Sequence, residues 1–149
     1  MIKTAPLVAS AVLLAACGHA IATTSVSQSQ LAPPDALKCV LQQFEALKFQ
    51  RTSYDTDRYR ASARRVNPKI TFSDVLFRKT WDRLDVEIAA GAAGTDVKVT
   101  PSTVAEYFTQ TGPTYNQLKT SEDADQAAQT IQRACSAAAP APAAPAPQQ

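Results

Sequence analysis

The side chains with the widest chemical repertoire in this sequence are three cysteines, Cys17, Cys39 and Cys135, and a single histidine, His19. Thiols bind metals, act as nucleophiles or form disulfides, and their spacing and neighbouring bases decide which. No C-x-x-C pair occurs, and His19 lies two residues from Cys17, outside the segment that we predict to fold. A zinc-type ligand set or a histidine-activated nucleophile is therefore not predicted. We expect no catalytic residue, no metal site, no cofactor and no enzymatic activity.

Cys17 closes a short apolar segment at the start of the chain. Lys3 gives this segment a minimal positive charge, and residues 7–14 are nearly all apolar. The run is too short to span a bilayer, which takes about 20 apolar residues, and it has the dimensions of the central region of a signal peptide. Residues 1–16 are therefore predicted to be a signal peptide.

The residues around the predicted cleavage point, Leu14-Ala15-Ala16-Cys17, resemble the lipobox of bacterial lipoproteins. The resemblance implies cleavage before Cys17, a diacylglycerol on its sulfur and an acyl chain on the new amino group, because stable anchoring takes more than one chain. The alternative is an ordinary cleaved signal peptide with Cys17 as a spare thiol. Since Gly18 rather than Asp follows Cys17, the resemblance also implies a place on the periplasmic face of the outer membrane.

The two remaining cysteines are predicted to form a disulfide once Cys17 is lipidated. Cys39 and Cys135 are then an even pair in an exported protein, where disulfides persist. They lie near the start of a first predicted helix and near the end of a last one. A bond between them would make these helices antiparallel neighbours.

Composition divides the exported chain into three parts. Residues 17–34 are mostly small and polar, which predicts a flexible lipidated tether. Residues 35–136 carry the apolar periodicity of a single domain, and residues 137–149 are an Ala/Pro-rich tail ending in two glutamines that we expect to be disordered.

Hydrophobic periodicity predicts a helix at each end of the domain and strands between them. Asp35 is the expected N-cap of the first helix, and Thr120 or Ser121 that of the last. Strands are expected from about residue 49 to 104, whereas residues 67–80 show no clear period and residues 105–119 are expected to form a long loop. The fold class is therefore α+β, a two-layer, four-stranded antiparallel meander with N- and C-terminal helices on one face, in the order α-β-β-β-β-α.

Basic side chains concentrate in the first half of the domain. Strict alternation along one predicted strand places Arg58, Arg60 and Arg64 on its exposed face, where arginine suits phosphate or carboxylate. These residues are candidates for binding an anionic envelope component. The alternative is that they pair across the sheet with Asp85 and Glu87. The predicted envelope address disfavours nucleic acid, and Trp81 is expected to pack in the core or against a hairpin.

Residues 36–136 also resemble small uncharacterised bacterial lipoproteins. The resemblance lies in a cysteine-bearing helix that ends in Ala46-Leu47-Lys48-Phe49, two hairpins and an Ala-rich terminal helix with a cysteine, and it implies no activity. We expect a lipid-anchored, non-enzymatic envelope protein that binds an anionic component or a protein partner, or supports assembly. The alternative is an inhibitor or immunity-type lipoprotein that blocks an exported hydrolase or toxin. The sequence predicts no oligomeric state.

The first testable prediction is that Cys17 is lipidated. Metabolic labelling with a clickable fatty acid should tag the wild-type protein and leave the Cys17→Ser variant unlabelled, because the thiol that accepts the lipid is gone. A Cys17→Ser protein that still carries the label would contradict the prediction.

Overall fold

A computed structural model of the protein describes residues 23–136, so the predicted signal peptide, Cys17 and the tail lie outside the described residues. In chain order the elements are β1 (Ser25–Ser29), α1 (Pro33–Ala46), β2 (Gln50–Asp55), β3 (Arg60–Val66), β4 (Phe77–Gly91), β5 (Gly94–Thr109), β6 (Gly112–Leu118) and α2 (Glu122–Ser136). Within this range the protein is α+β, with an antiparallel sheet of six strands and two helices. The predicted four-stranded sheet lacks two of these strands.

The sheet is organised around the hairpin of β4 and β5, which are 15 and 16 residues long. The strand order is β1-β5-β4-β3-β2, and β6 also pairs with β5. Because β4 occupies one edge of β5, β1 and β6 share the other: β1 pairs with Thr95–Val99 and β6 with Thr103–Thr109. The predicted strand at Leu84, Val86 and Ile88 is confirmed as the buried centre of β4.

Pro101 marks the junction between β1 and β6. Proline has no backbone N–H for a ladder and is tolerated in a strand only where no partner needs that donor. Pro101 pairs with Leu84 of β4, while its other edge falls between Val99, where β1 stops, and Thr103, where β6 begins. The gap between β1 and β6 along the edge of β5 therefore lies at Pro101, which has no N–H to donate to a neighbouring strand.

Strand β1 corrects the prediction of a flexible tether at residues 17–34, because residues 25–29 are part of the sheet. The Oγ of Ser29 donates to the carbonyl of Cys135 at 2.6 Å and accepts from the amide of Leu31 at 3.1 Å. Gly94 passes so close that a Cβ there would lie 2.6 Å from the Ser29 carbonyl oxygen. Backbone pairing and small side chains hold β1 in place, so its sequence lacks the apolar alternation of an ordinary strand.

The predicted long loop over residues 105–119 is also wrong. Strand β5 continues to Thr109, and a tight turn closed by Thr109 and Gly112 leads into β6. The Thr109 Oγ1 donates to the Gly112 carbonyl at 2.8 Å, and Gly112 has a φ of 118°, a backbone conformation that L side chains rarely adopt. Gly112-Pro113 is thus the end of a hairpin turn and not a sign of irregular structure.

The helix starts follow different capping rules. The N-cap of α1 is Ala32, not the predicted Asp35, because Pro33 and Pro34 fill the first helical positions, where no N–H is required. Helix α2 follows the predicted cap Ser121, whose Oγ accepts from the amide of Ala124 at 3.1 Å. The apolar face of α2 is buried, as its periodicity predicts; it consists of Ala124, Ala127, Ala128, Ile131 and Cys135.

One buried cluster joins both helices to one face of the sheet. Its sheet members are Ala61, Ala63, Leu84, Val86, Ile88, Val97 and Val99. The predicted disulfide between Cys39 and Cys135 is present, with an S–S distance of 2.07 Å and a sequence separation of 96. A loop of this length corresponds to about 4–5 kcal/mol of stabilisation in the chain-entropy model.

A buried carboxylate, Asp82, connects four separate parts of the chain. Its oxygens accept hydrogen bonds from the Asn67 side-chain amide at 3.1 and 3.2 Å, from Thr103 Oγ1 at 3.0 Å and from Ser121 Oγ at 2.7 Å. The guanidinium of Arg65 lies 3.8 Å from the same carboxylate, which is 1% exposed. A buried charge is tolerated only when it is paired and hydrogen-bonded in this way.

The second prediction concerns this carboxylate. Asp82→Ala should lower the free energy of unfolding by about 3–5 kcal/mol, because it leaves buried donors and a guanidinium without their acceptor. Asp57→Ala removes an exposed carboxylate and should change stability by about 0.5 kcal/mol or less. Urea denaturation of both variants gives the comparison, and equal stabilities would contradict the proposed role of Asp82.

Candidate anion-binding site on the outer sheet face

The sheet has an outer face, which points away from the helices. Side chains alternate along a strand, so the neighbours of the buried Ala61, Ala63, Leu84 and Val86 lie on this face. Its members on β3 and β4 are Arg60, Ser62, Arg64, Trp81, Arg83, Asp85 and Glu87. Of the three arginines predicted for this face, Arg60 and Arg64 lie on it and have different surroundings, whereas Arg58 does not lie on it.

Arg58 does not belong to the strand. It lies in the turn between β2 and β3, where the amides of Asp57 and Arg58 both donate to the Asp55 carboxylate at 3.0 Å. Tyr59 has a φ of 48°, which interrupts the alternation that the sequence predicted to begin at Arg58. The Arg58 guanidinium is 4.0 Å from Asp55 in a largely exposed pair. Arg58 is therefore separated from Arg60 and Arg64 by the turn.

Arg60 lies on the strand and pairs with an acid, as the alternative interpretation expected. Its guanidinium is 2.5 Å from Glu87, the residue directly opposite it on β4. The Nζ of Lys98 on β5 lies 3.1 Å from the same carboxylate. The hydrogen bond from Lys98 and, next, the charge of Arg60 hold the pKa of Glu87 below its usual value. Glu87 therefore stays ionised at neutral pH and compensates Arg60. Asp85 instead accepts a hydrogen bond from Ser62 Oγ at 2.6 Å.

Arg64 has a different environment, because the residue directly opposite it on β4 is Arg83. Like charges in this arrangement repel each other. Within residues 23–136, neither arginine forms an ion pair with a carboxylate. Arg64 lies over the ring of Trp81, 4.1 Å from its centroid, and the Lys79 Nζ lies 4.9 Å from the same centroid. Three cationic groups thus lie close together around Trp81, and the acid beside them, Glu106, is opposite Lys79 on β5 and accepts a hydrogen bond from the indole.

These side chains line a shallow depression of about 220 Å³ that we call the outer-face pocket; its lining residues are Thr52, Arg64, Trp81, Arg83, Val104 and Tyr115. Trp81 is 7% exposed, so the prediction that it packs is confirmed, although it packs on the outer face. Its indole N–H donates to the Glu106 carboxylate, which fixes the ring. Paired guanidinium groups beside aromatic rings favour phosphate or carboxylate groups.

Sequence analysis overlooked Arg83, although a signal for it was present. Arg83 alternates with Leu84 and Val86, so its position on the exposed face follows from the same pattern that predicted β4. Its pairing with Arg64 depends on strand register, which no local pattern specifies. Asp82 had a comparable signal, because alternation places it on the buried face with Leu84.

Two other kinds of feature, a metal-binding cluster and a helix able to cross a membrane, are absent from the described residues. Over residues 23–136, no group of three or more His, Cys, Asp or Glu side chains is placed to hold a metal ion. Neither helix in this range is long and apolar enough to cross a membrane. The sequence matches no family model and is not significantly similar to any curated protein.

The third prediction tests the electrostatics of the pocket. Arg83→Gln should raise the free energy of unfolding by about 0.2–1 kcal/mol at low salt, because it removes the like charge facing Arg64. Arg60→Gln should lower it by a similar amount, because it leaves Glu87 with one fewer cation. Both changes should shrink at high salt, since exposed charges are screened. Thermal denaturation at two salt concentrations measures the effects, and equal signs would contradict the prediction.

Proposed function

We propose that this protein is a non-enzymatic, lipid-anchored component of the bacterial cell envelope that binds an anionic envelope molecule through the outer-face pocket. Its place would be the periplasmic face of the outer membrane. The observation that supports the binding function most directly is the pairing of Arg64 with Arg83 across β3 and β4 without a carboxylate partner among residues 23–136.

The chemistry of the pocket favours a ligand with phosphate or carboxylate groups. Two guanidinium groups from adjacent strands can each donate two parallel hydrogen bonds to oxygens of one anion, and Lys79 adds a third positive charge. A bound anion would replace the repulsion between Arg64 and Arg83 with attraction to both. The exposed ring of Tyr115 offers a surface for the apolar or ring portion of the ligand. Phosphorylated lipid headgroups and lipopolysaccharide phosphates meet these requirements.

The lipid anchor of the proposal rests on the resemblance of Leu14-Ala15-Ala16-Cys17 to a lipobox. A disulfide between Cys39 and Cys135 agrees with an exported protein, because disulfides persist in oxidising compartments. The alternative function is inhibition of an exported hydrolase or toxin. It would require the same envelope localisation, but the ligand would be a protein surface.

The fourth prediction separates the pocket from the general positive charge of the sheet. Trp81 is the single tryptophan of the chain, so its fluorescence should report pyrophosphate binding in the pocket. The double variant Arg64→Gln/Arg83→Gln should bind pyrophosphate at least about tenfold more weakly, because a hydrogen bond to a charged group contributes about 1.5–3 kcal/mol.

The matched control is Arg58→Gln/Arg60→Gln, which removes the same charge from the turn before β3 and from the start of β3 but leaves the pocket intact. It should retain near wild-type affinity for pyrophosphate and for lipopolysaccharide. An equal loss in both variants would mean that only net charge matters, and wild-type binding by the pocket variant would eliminate the site. Binding to a co-expressed exported hydrolase, without binding to either phosphate ligand, would favour the alternative function.

A further inference from the structure

A cluster of exposed apolar side chains lies at one end of the sheet, where β4 begins and β5 ends. We call this cluster the apolar end; it consists of Phe72, Val75, Leu76, Phe77, Tyr107 and Phe108. Val75 is 85% exposed, Phe108 51%, Leu76 47% and Phe72 40%. Groups of large apolar side chains this exposed are typical of surfaces that meet a partner or a membrane.

The apolar end is an ordered structure. The rings of Phe72, Phe77 and Tyr107 pack together with centroid separations of 5.3, 5.9 and 6.5 Å. The amide of Phe108 donates to the Leu76 carbonyl at 2.8 Å, which ties the segment before β4 to the end of β5. The apolar side chains are therefore presented outward by a fixed support.

The charges around the apolar end favour an anionic surface. Arg78 lies over the Phe108 ring, 5.6 Å from its centroid, and Lys79 follows it in the chain. Both cations are exposed. Two acids lie nearby, and both already accept hydrogen bonds: the Asp74 carboxylate accepts from the amide of Leu76 at 2.8 Å, and Glu106, opposite Lys79 on β5, accepts from the Trp81 indole. Apolar and aromatic groups beside basic ones are characteristic of segments that enter the boundary of an anionic bilayer.

The path of the chain toward Cys17 leads to the same end of the molecule. Going backwards from Ser29 to Ser25, β1 runs along β5 from Thr95 to Val99, and Thr24 then contacts Thr100 through their hydroxyl groups at 3.1 Å. At Thr24 the described chain therefore points along β5 toward the end of the sheet where Phe108 lies. The eight steps from Ser25 to Cys17 can span about 27 Å, and the nine from Val99 to Phe108 cover about 30 Å. A fully extended segment would bring Cys17 to within a few ångströms of the level of Phe108, so the acyl chains of a lipid on Cys17 could enter the membrane that the apolar end would meet.

We infer that the apolar end docks on the surface of an anionic lipid bilayer, with Val75 and Leu76 in the interfacial region and Arg78 and Lys79 at the level of the headgroups. This inference rests on the proposed function, because the proposed lipid anchor holds the protein at a membrane. It adds which surface of the domain contacts that membrane. The outer-face pocket begins only a few residues along β4 from this end, so docking would hold it close to the headgroups.

The fifth prediction uses an introduced tryptophan as a depth probe in the full chain. Val75→Trp is compared with Val26→Trp, a matched control on β1 that is also exposed, at 60%. The proteins are mixed with vesicles of phosphatidylethanolamine and phosphatidylglycerol that carry bromine on their acyl chains. Quenching of Val75→Trp should be at least about twofold stronger than quenching of the control, because interfacial segments lie about 5–10 Å below the surface. Trp81 contributes equally to both proteins.

Three outcomes would overturn the inference: equal quenching of the two variants, undiminished quenching of Val75→Trp when Arg78 and Lys79 are both changed to Glu, or self-association through Val75 without vesicles. Pyrophosphate binding is measured in the absence of a bilayer, and fatty-acid labelling of Cys17 does not depend on the apolar end. Failure of docking is therefore distinguishable from failure of the proposed function.

Discussion

The buried carboxylate of Asp82 is the interaction on which the rest of the domain depends. It joins the end of β3 through Asn67, the middle of β5 through Thr103 and the start of α2 through Ser121. Because Ser121 is also the cap of α2, the direction in which that helix leaves the sheet is set by the same group. The opposite end of α2 is fixed by the disulfide and by the bond between Ser29 and the Cys135 carbonyl. Helix α2 is thus attached at both ends by contacts of different chemical kinds.

The two faces of the sheet differ in composition and burial as a result. The helices and the buried cluster occupy one face, so stability resides there, and the outer face is left to polar and aromatic side chains. On that face Arg60 is compensated by Glu87, whereas Arg64 and Arg83 oppose each other. This unfavourable charge arrangement supports the proposed binding function, because proteins can sacrifice local stability at functional sites.

The parts of the fold that depend on local pattern were predictable from the sequence. Alternation in β4 and the periodicity of the two helices depend on residues that are neighbours in the chain. The cysteine pair followed from the even number of cysteines that remain once Cys17 is lipidated. Strand β1 was not predictable, because serine and glutamine carry no apolar signal and the segment is held by contacts distant in sequence. The continuation of β5 past Val104 and the existence of β6 were not predicted either, because residues 105–119 were expected to form a long loop and their pairing exists only in the assembled sheet. The site was half predictable: alternation placed Arg64, whereas the register that brings Arg83 opposite it is a tertiary property.

The disulfide also decides how the protein would respond to mechanical force. A pull between the two ends of the chain passes through β1 and the first turns of α1 to Cys39, and then crosses directly to Cys135. Once β1 has separated from β5, the segment between these cysteines, with a sequence separation of 96, lies outside the path of the load. Without the bond, that segment could release about 330 Å of extended chain. A protein attached to a membrane at one terminus and to another structure at the other would keep strands β2 to β6 and the outer-face pocket intact under tension.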